Sequence, residues 1–181
     1  PYMTVADQLE VLSDDVDDDD ADTGAWTVQV SGLDANWDEI SETVTMNGTA
    51  AVTTTASFIR VFRAKVVTAG TTGVNEGTIT IRDQDIGTTR ALIDPGIGQT
   101  LMAMWTVPDG YTFYMTSWYG GSAVTKVLDV GLFARDNAVS NASLQNKQFI
   151  NFSDTTFKHD LELPIVFTSR TDIEARGMAS G

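Results

Sequence analysis

Residues 101–119 read LMAMWTVPDGYTFYMTSWY and carry the clearest structural signal in the chain. Two apolar and aromatic runs, of the kind favoured in β-strands, flank the tripeptide Pro108-Asp109-Gly110. Proline presets φ at the start of a turn, and glycine adopts a positive φ without steric cost. The stretch therefore predicts a β-hairpin whose two strands are residues 101–107 and 111–119.

The same two-residue alternation of apolar and polar side chains extends to both sides of this stretch. It is clear in residues 26–31, 57–67 and 126–134, and no segment carries a sustained 3.6-residue period. Asn47-Gly48 is a strong turn dipeptide because both residues tolerate positive φ. About eight strands separated by turn signals predict an all-β fold, a two-sheet antiparallel β-sandwich of jelly-roll-like or immunoglobulin-like type.

Negative charge is concentrated near the N-terminus. The 181 residues carry 25 acidic and 11 basic side chains, a net charge of −14, yet 13 of the acids precede residue 43 and the first basic residue is Arg60. Residues 13–24 read SDDVDDDDADTG, and such a run repels itself. We therefore predict an acidic N-terminal arm or loop over residues 1–24 and a β-sandwich domain over residues 25–181.

This charge distribution argues against nucleic acid as a partner, because the acidic third repels phosphates and no basic patch follows it. No apolar run approaches the roughly 18 residues that a membrane helix needs. The first residues also lack the basic and apolar pattern of a signal peptide. We expect neither nucleic acid nor a membrane as a partner.

The chain has no cysteine, which excludes disulfides and thiolate metal ligands.

Asp18, Asp20 and Asp22 have the alternate spacing of carboxylates in calcium-binding loops. The EF-hand pattern requires glycine directly after the third ligand and a glutamate six residues further on, where this chain has Thr23 and Gln29. The three aspartates are therefore a candidate Ca²⁺ site, with a solvated acidic arm as the preferred interpretation. We expect no other cofactor.

Side chains suited to catalysis are sparse. His159 is the only histidine, and its neighbour Asp160 points to the opposite face of a strand, so the two cannot form part of a Ser-His-Asp triad. Glu42 and Asp129 are acids inside apolar-patterned strands, as a glycoside-cleaving pair requires, but both are expected to face outward. We therefore predict that the protein is not an enzyme.

The aromatic stretch also supplies a candidate interface. Alternate aromatic residues are expected to include the core set: Trp105, Tyr111, Phe113 and Tyr119. Tyr114 and Trp118 fall on the other side, next to Met102 and Met104. Because tyrosine, tryptophan and methionine are enriched at protein contacts, we predict Met102, Met104, Tyr114 and Trp118 as interface residues.

Several long segments of the chain are similar to one group of known proteins. The segments are GLDANWDEISETVTMNGTAAV (32–52), SFIRVFRAKVVTAG (57–70), NEGTITI (75–81), TLMAMWTVPDGYTFYMTSWY (100–119) and TDIEARGMASG (171–181). They resemble β-sandwich, jelly-roll-like virion structural proteins of tailed bacteriophages that infect aquatic bacteria. The resemblance covers about residues 26–181 and implies a particle protein without catalytic activity.

The resemblance and the residue patterns lead to one expected function and one alternative. We expect a capsid-associated decoration, cement or head protein that is located in the virion and assembled in the host cytoplasm. Its partners would be further copies of itself, in a homo-oligomer, and other virion proteins, first among them the major capsid protein. The alternative is a tail, fibre or receptor-binding component that recognises host-surface glycan through exposed aromatic residues such as Trp118.

Overall fold

The computed structural model describes residues 2–121, 127–153 and 156–180. These residues form thirteen β-strands and no helix, and every strand pairing is antiparallel. The all-β, antiparallel prediction is confirmed. The chain divides into two compact units, Pro1–Met102 and Ala103–Gly181, which are described separately below.

The first unit contains seven strands in two sheets. The strands are β1 (Asp7–Ser13), β2 (Ala25–Leu33), β3 (Glu39–Thr45), β4 (Val52–Phe58), β5 (Arg60–Ala69), β6 (Ile79–Asp83) and β7 (Thr89–Ile93). One sheet has the order β4-β1-β6-β7 and the other has the order β3-β2-β5.

Both sheets of the first unit contribute to a single hydrophobic core. Successive side chains of a strand point to opposite faces. In β2 this places Val28 and Val30 inside, and in β6 it places Ile79 and Ile81 inside, all four without exposed surface. The four valines and isoleucines belong to one cluster of buried residues. The two sheets therefore face each other as a sandwich.

The structure differs from the acidic arm predicted for residues 1–24. Within that range, β1 lies between β4 and β6 in the four-stranded sheet, and its residues Leu9 and Val11 are fully buried. The chain also has no unit boundary between residues 24 and 25, since the first unit runs to Met102. Alternating apolar residues in β1 and a buried aspartate in the loop after it outweigh the mutual repulsion of the acids.

That buried aspartate is Asp18, whose carboxylate accepts four hydrogen bonds. Its Oδ1 accepts from the backbone N–H groups of Ala25 (2.7 Å) and Glu76 (2.9 Å). Its Oδ2 accepts from the backbone N–H of Gly77 (3.0 Å) and from the hydroxyl of Ser13 (2.6 Å). A buried carboxylate needs such donors, because an unpaired charge would lose its hydration without compensation. The acidic loop is thereby fixed to the ends of β1 and β2 and to the segment before β6.

Two glycines make room for this carboxylate. A Cβ atom on Gly24 would overlap Oδ1 of Asp18, and a Cβ atom on Gly77 would overlap the hydroxyl of Ser13. Any larger residue at either position would displace the groups that form the hydrogen bonds.

The described residues of the second unit form six strands in two sheets. The strands are β8 (Met104–Thr106), β9 (Phe113–Gly121), β10 (Val127–Asp136), β11 (Gln145–Ser153), β12 (Thr156–Phe167) and β13 (Thr171–Ser180). The four-stranded sheet has the order β11-β10-β13-β8, and β12 pairs with β9 in a two-stranded sheet.

The hairpin predicted for residues 101–119 is wrong, although its turn is present. Gly110 has a φ of 75°, as the turn requires, but β8 pairs with β13 and β9 pairs with β12. The two runs therefore belong to different sheets. Across the core the ring of Trp105 meets the ring of Phe113 edge-on, with centroids 5.3 Å apart.

An ion pair connects this turn to the turn that precedes β13. The carboxylate of Asp109 accepts hydrogen bonds from the guanidinium of Arg170 (2.9 and 3.0 Å) and from the hydroxyl of Ser169 (2.7 Å). These hydrogen bonds lower the pKa of Asp109 to about 2. Since β8 pairs with β13, the ion pair joins the two turns at one end of that pairing.

The core of the second unit is smaller and partly open. The buried members of its cluster among the described residues are Val107, Leu132, Ala134, Phe167 and Ile173. An equal number of apolar side chains pack against them while staying partly exposed: Trp105, Phe113, Met115, Trp118 and Ile165.

The hydrogen bonds of Asp18 give a first testable prediction. Asp18→Asn replaces an acceptor oxygen by an amide that faces buried donors, so we expect the free energy of unfolding to fall by about 2–4 kcal/mol. Asp20→Asn removes the same charge at an exposed position and should change it by no more than about 0.5 kcal/mol. Urea denaturation measures both, and equal effects of the two variants would contradict the role given to Asp18.

Candidate interaction surface

An open apolar groove of about 440 Å³ lies on the second unit. It is bordered by β9 of the two-stranded sheet and by β8, β10 and β13 of the four-stranded sheet. Only one of its lining residues carries a charge: they are Ala103, Met104, Trp105, Phe113, Met115, Trp118, Tyr119, Leu132, Ile173, Glu174 and Ala175.

The groove is the open side of the second unit's hydrophobic core. Trp105, Phe113, Met115 and Trp118 pack against the buried core cluster and also line the groove. Patches of this kind on soluble proteins commonly mark interaction sites, because exposed apolar surface is unfavourable in water.

Trp118 is held in place on the groove wall. Its indole N–H donates a hydrogen bond to Oε1 of Gln148 (2.8 Å), and its ring meets the ring of Phe157 edge-on, with centroids 5.1 Å apart. A side chain fixed in this way loses little conformational entropy when a partner binds against it.

The structure brings together only two of the four predicted interface residues. Met104 and Trp118 line the groove. Tyr114 is 59% exposed and pairs in register with exposed Val166, whereas Met102 packs against the core of the first unit. The four residues therefore do not form one surface.

The alternation predicted along residues 111–119 shifts within β9. Ser117 and Trp118 are consecutive and both half-buried, so Trp118 lies on the core side, and Tyr119, predicted as core, is 83% exposed. Tyr111, also predicted as core, is 68% exposed. The shift lies beside an irregularity in the partner strand, where residues 161–164 of β12 interrupt the register.

Sequence reasoning missed the exposed apolar side chains of β12. Leu163 lies in the irregular segment and is 82% exposed, and Val166 is 54% exposed. The pattern of β12 alone gives no signal for this exposure, because it depends on how the strand pairs with β9.

The candidate cation residues do not converge. The carboxylate of Asp18 is buried and occupied by four hydrogen bonds, while Asp20 and Asp22 are exposed. In the part of the chain that the structure describes, no three His, Cys, Asp or Glu side chains are grouped to hold a metal ion. The Ca²⁺ hypothesis therefore has no support from the arrangement of these aspartates.

Glu42, a candidate catalytic acid, instead connects the two sheets of the first unit. From β3 its carboxylate accepts hydrogen bonds from the backbone N–H groups of Thr55 and Ala56 in β4, both at 2.8 Å. Partial burial acts to raise the pKa of Glu42, but these hydrogen bonds outweigh it and hold the pKa below its usual value. Because β3 and β4 are edge strands of different sheets, Glu42 closes one side of the sandwich.

The other two candidate catalytic residues are in the second unit, on different strands. Asp129 of β10 accepts a hydrogen bond from the amide of its register partner Asn151. His159 of β12 is exposed and pairs in register with Trp118.

Comparison with known proteins gives no match for this chain among protein families, curated proteins or solved structures. Among the described residues there is also no helix long and apolar enough to cross a membrane.

Glu42→Gln tests the structural role of this carboxylate. Glutamine offers one acceptor oxygen for two backbone donors, so we expect the free energy of unfolding at pH 7 to fall by about 1–2 kcal/mol. The folded-state pKa of Glu42 is lowered, so its contribution is complete above the unfolded value of 4.5 and is lost as the pH falls through the folded value.

The difference between wild type and Glu42→Gln should therefore shrink in chemical denaturation below about pH 4.5. Glu39→Gln, an exposed position in the same strand, is the matched control. A difference that grows at low pH would contradict the assignment.

Proposed function

We propose that this chain is a non-enzymatic structural protein of a tailed-phage particle, attached to the capsid as a decoration, cement or head protein. The resemblance of its segments to virion structural proteins supports the proposal. The contacts of the two candidate catalytic acids also support it. Glu42 accepts hydrogen bonds from a strand of the other sheet of its sandwich, and Asp129 accepts one from the neighbouring strand of its own sheet.

The observation that carries the proposal is the uneven distribution of charge and apolar surface. Residues 1–102 contain 17 acidic and five basic side chains, a net charge of −12, whereas residues 103–181 contain eight and six, a net charge of −2. The first unit is suited to face solvent or a basic patch of the capsid. The second unit presents the apolar groove, so each unit offers a surface of distinct chemistry.

The alternative, a tail, fibre or receptor-binding component, has less support from the geometry. Sugar hydroxyls require many hydrogen-bonding groups beside a stacking ring, and the groove around Trp118 is lined almost entirely by apolar side chains. The indole N–H of Trp118 is already bonded to Gln148. Binding to a glycan array that disappears in Trp118→Ala would nevertheless favour the alternative.

Cryo-electron microscopy of phage particles purified from cells that produce this chain tests the proposal. We expect density for the chain distributed over the shell. Density at the tail tip alone would support the receptor-binding alternative, and its absence from purified particles would contradict both.

The dependence of capsid attachment on salt concentration gives a second test of the proposal. If the acidic first unit faces a basic capsid patch, attachment should weaken as NaCl increases, because the screening length falls from about 10 Å at 0.1 M to about 3 Å at 1 M. Asp20→Asn/Asp22→Asn removes two exposed charges and should weaken attachment at low salt. Attachment that strengthens with salt would contradict an electrostatic contact.

A further inference from the structure

We propose that copies of this chain associate with one another through the apolar groove of the second unit, so that its occupant is a second copy. The inference rests on the proposed function, because it names one partner and the surface that binds it. Three features of the second unit carry the argument.

The first feature is the half-open core. Trp105, Phe113 and Trp118 are core residues of the second unit, yet each keeps part of its surface in the groove. Burying such surface is favourable by about 25 cal/mol per Å². Aromatic side chains already fixed by their neighbours make good anchors for a partner.

The second feature is an apolar protrusion on the same unit. Leu163 lies where residues 161–164 of β12 interrupt the pairing with β9, and it is 82% exposed. Tyr114 and Val166, register partners on the exposed face of the same two strands, are 59% and 54% exposed. The unit thus presents both an apolar recess and apolar side chains that project into solvent. Both apolar surfaces are on the same unit, so each copy offers the other exposed apolar area to bury.

The third feature is charge, which selects this surface for contact between copies. Contact through the first units would bring together two bodies with a net charge of −12 each, whereas contact through the second units joins two of −2 each. The one charged residue lining the groove, Glu174, forms an ion pair with Arg176. A second copy therefore meets little repulsion at the second unit and strong repulsion at the first.

Sedimentation velocity and light scattering of the purified chain, over a concentration series, test the inference. We expect the wild type to form an oligomer. Met104→Asp places a charge in the groove and should weaken association on the order of 100-fold. Ile86→Asp makes the same charge change at a 77% exposed position of the first unit and should leave the oligomer intact.

A second variant distinguishes a loss of association from a loss of folding. Tyr119→Asp changes a residue that lines the groove but is 83% exposed, so the monomer should keep its β-type circular dichroism while losing association. Association should strengthen with NaCl, because salt screens the repulsion between the acidic first units. Capsid attachment, by contrast, is expected to weaken as the NaCl concentration increases.

A wild-type chain that stays monomeric at every concentration would overturn the inference. So would Met104→Asp and Tyr119→Asp variants that fold and keep the wild-type mass. Either result leaves capsid attachment to be judged from the particle map, so the two proposals fail separately.

Discussion

Four hydrogen bonds to the carboxylate of Asp18 hold the first unit together where its chain segments converge. The donors come from Ser13 at the end of β1, Ala25 at the start of β2, and residues 76 and 77 before β6. Because β1 and β6 belong to one sheet and β2 to the other, the carboxylate joins both layers of the sandwich. At another edge Glu42 does the same between β3 and β4. Both layers are thus joined by acidic side chains that accept hydrogen bonds from them.

The two units differ in net charge and in how completely they bury their apolar side chains. The first has a sealed core, with Val28, Val30, Ile79 and Ile81 fully buried, beneath a strongly acidic surface. The second is nearly neutral, and five of the ten described apolar side chains in and around its core are partly exposed. This difference is the physical basis for assigning solvent or a basic partner to one unit and apolar association to the other.

The acids that suggest chemistry in the sequence are used for structure in the fold. Asp18 and Glu42 accept backbone hydrogen bonds, Asp109 pairs with Arg170, and Asp172, fully buried, accepts from Thr106 and Arg135. Each of these carboxylates joins strands or turns that are distant in the chain.

The sequence by itself determined the all-β fold class, the turn at Pro108-Asp109-Gly110, and the charge difference between the two parts of the chain. Alternation and turn chemistry are local, so they can be read without knowing the fold. Only the tertiary structure decided that the turn joins two sheets rather than two paired strands, and that Trp118 faces the core. It also decided which aspartate is buried: all seven in residues 13–24 have similar neighbours in sequence, and Asp18 differs because donors from residues 76 and 77 reach it. Strand partners and hydrogen-bond donors are set by contacts between distant residues, which a local pattern does not contain.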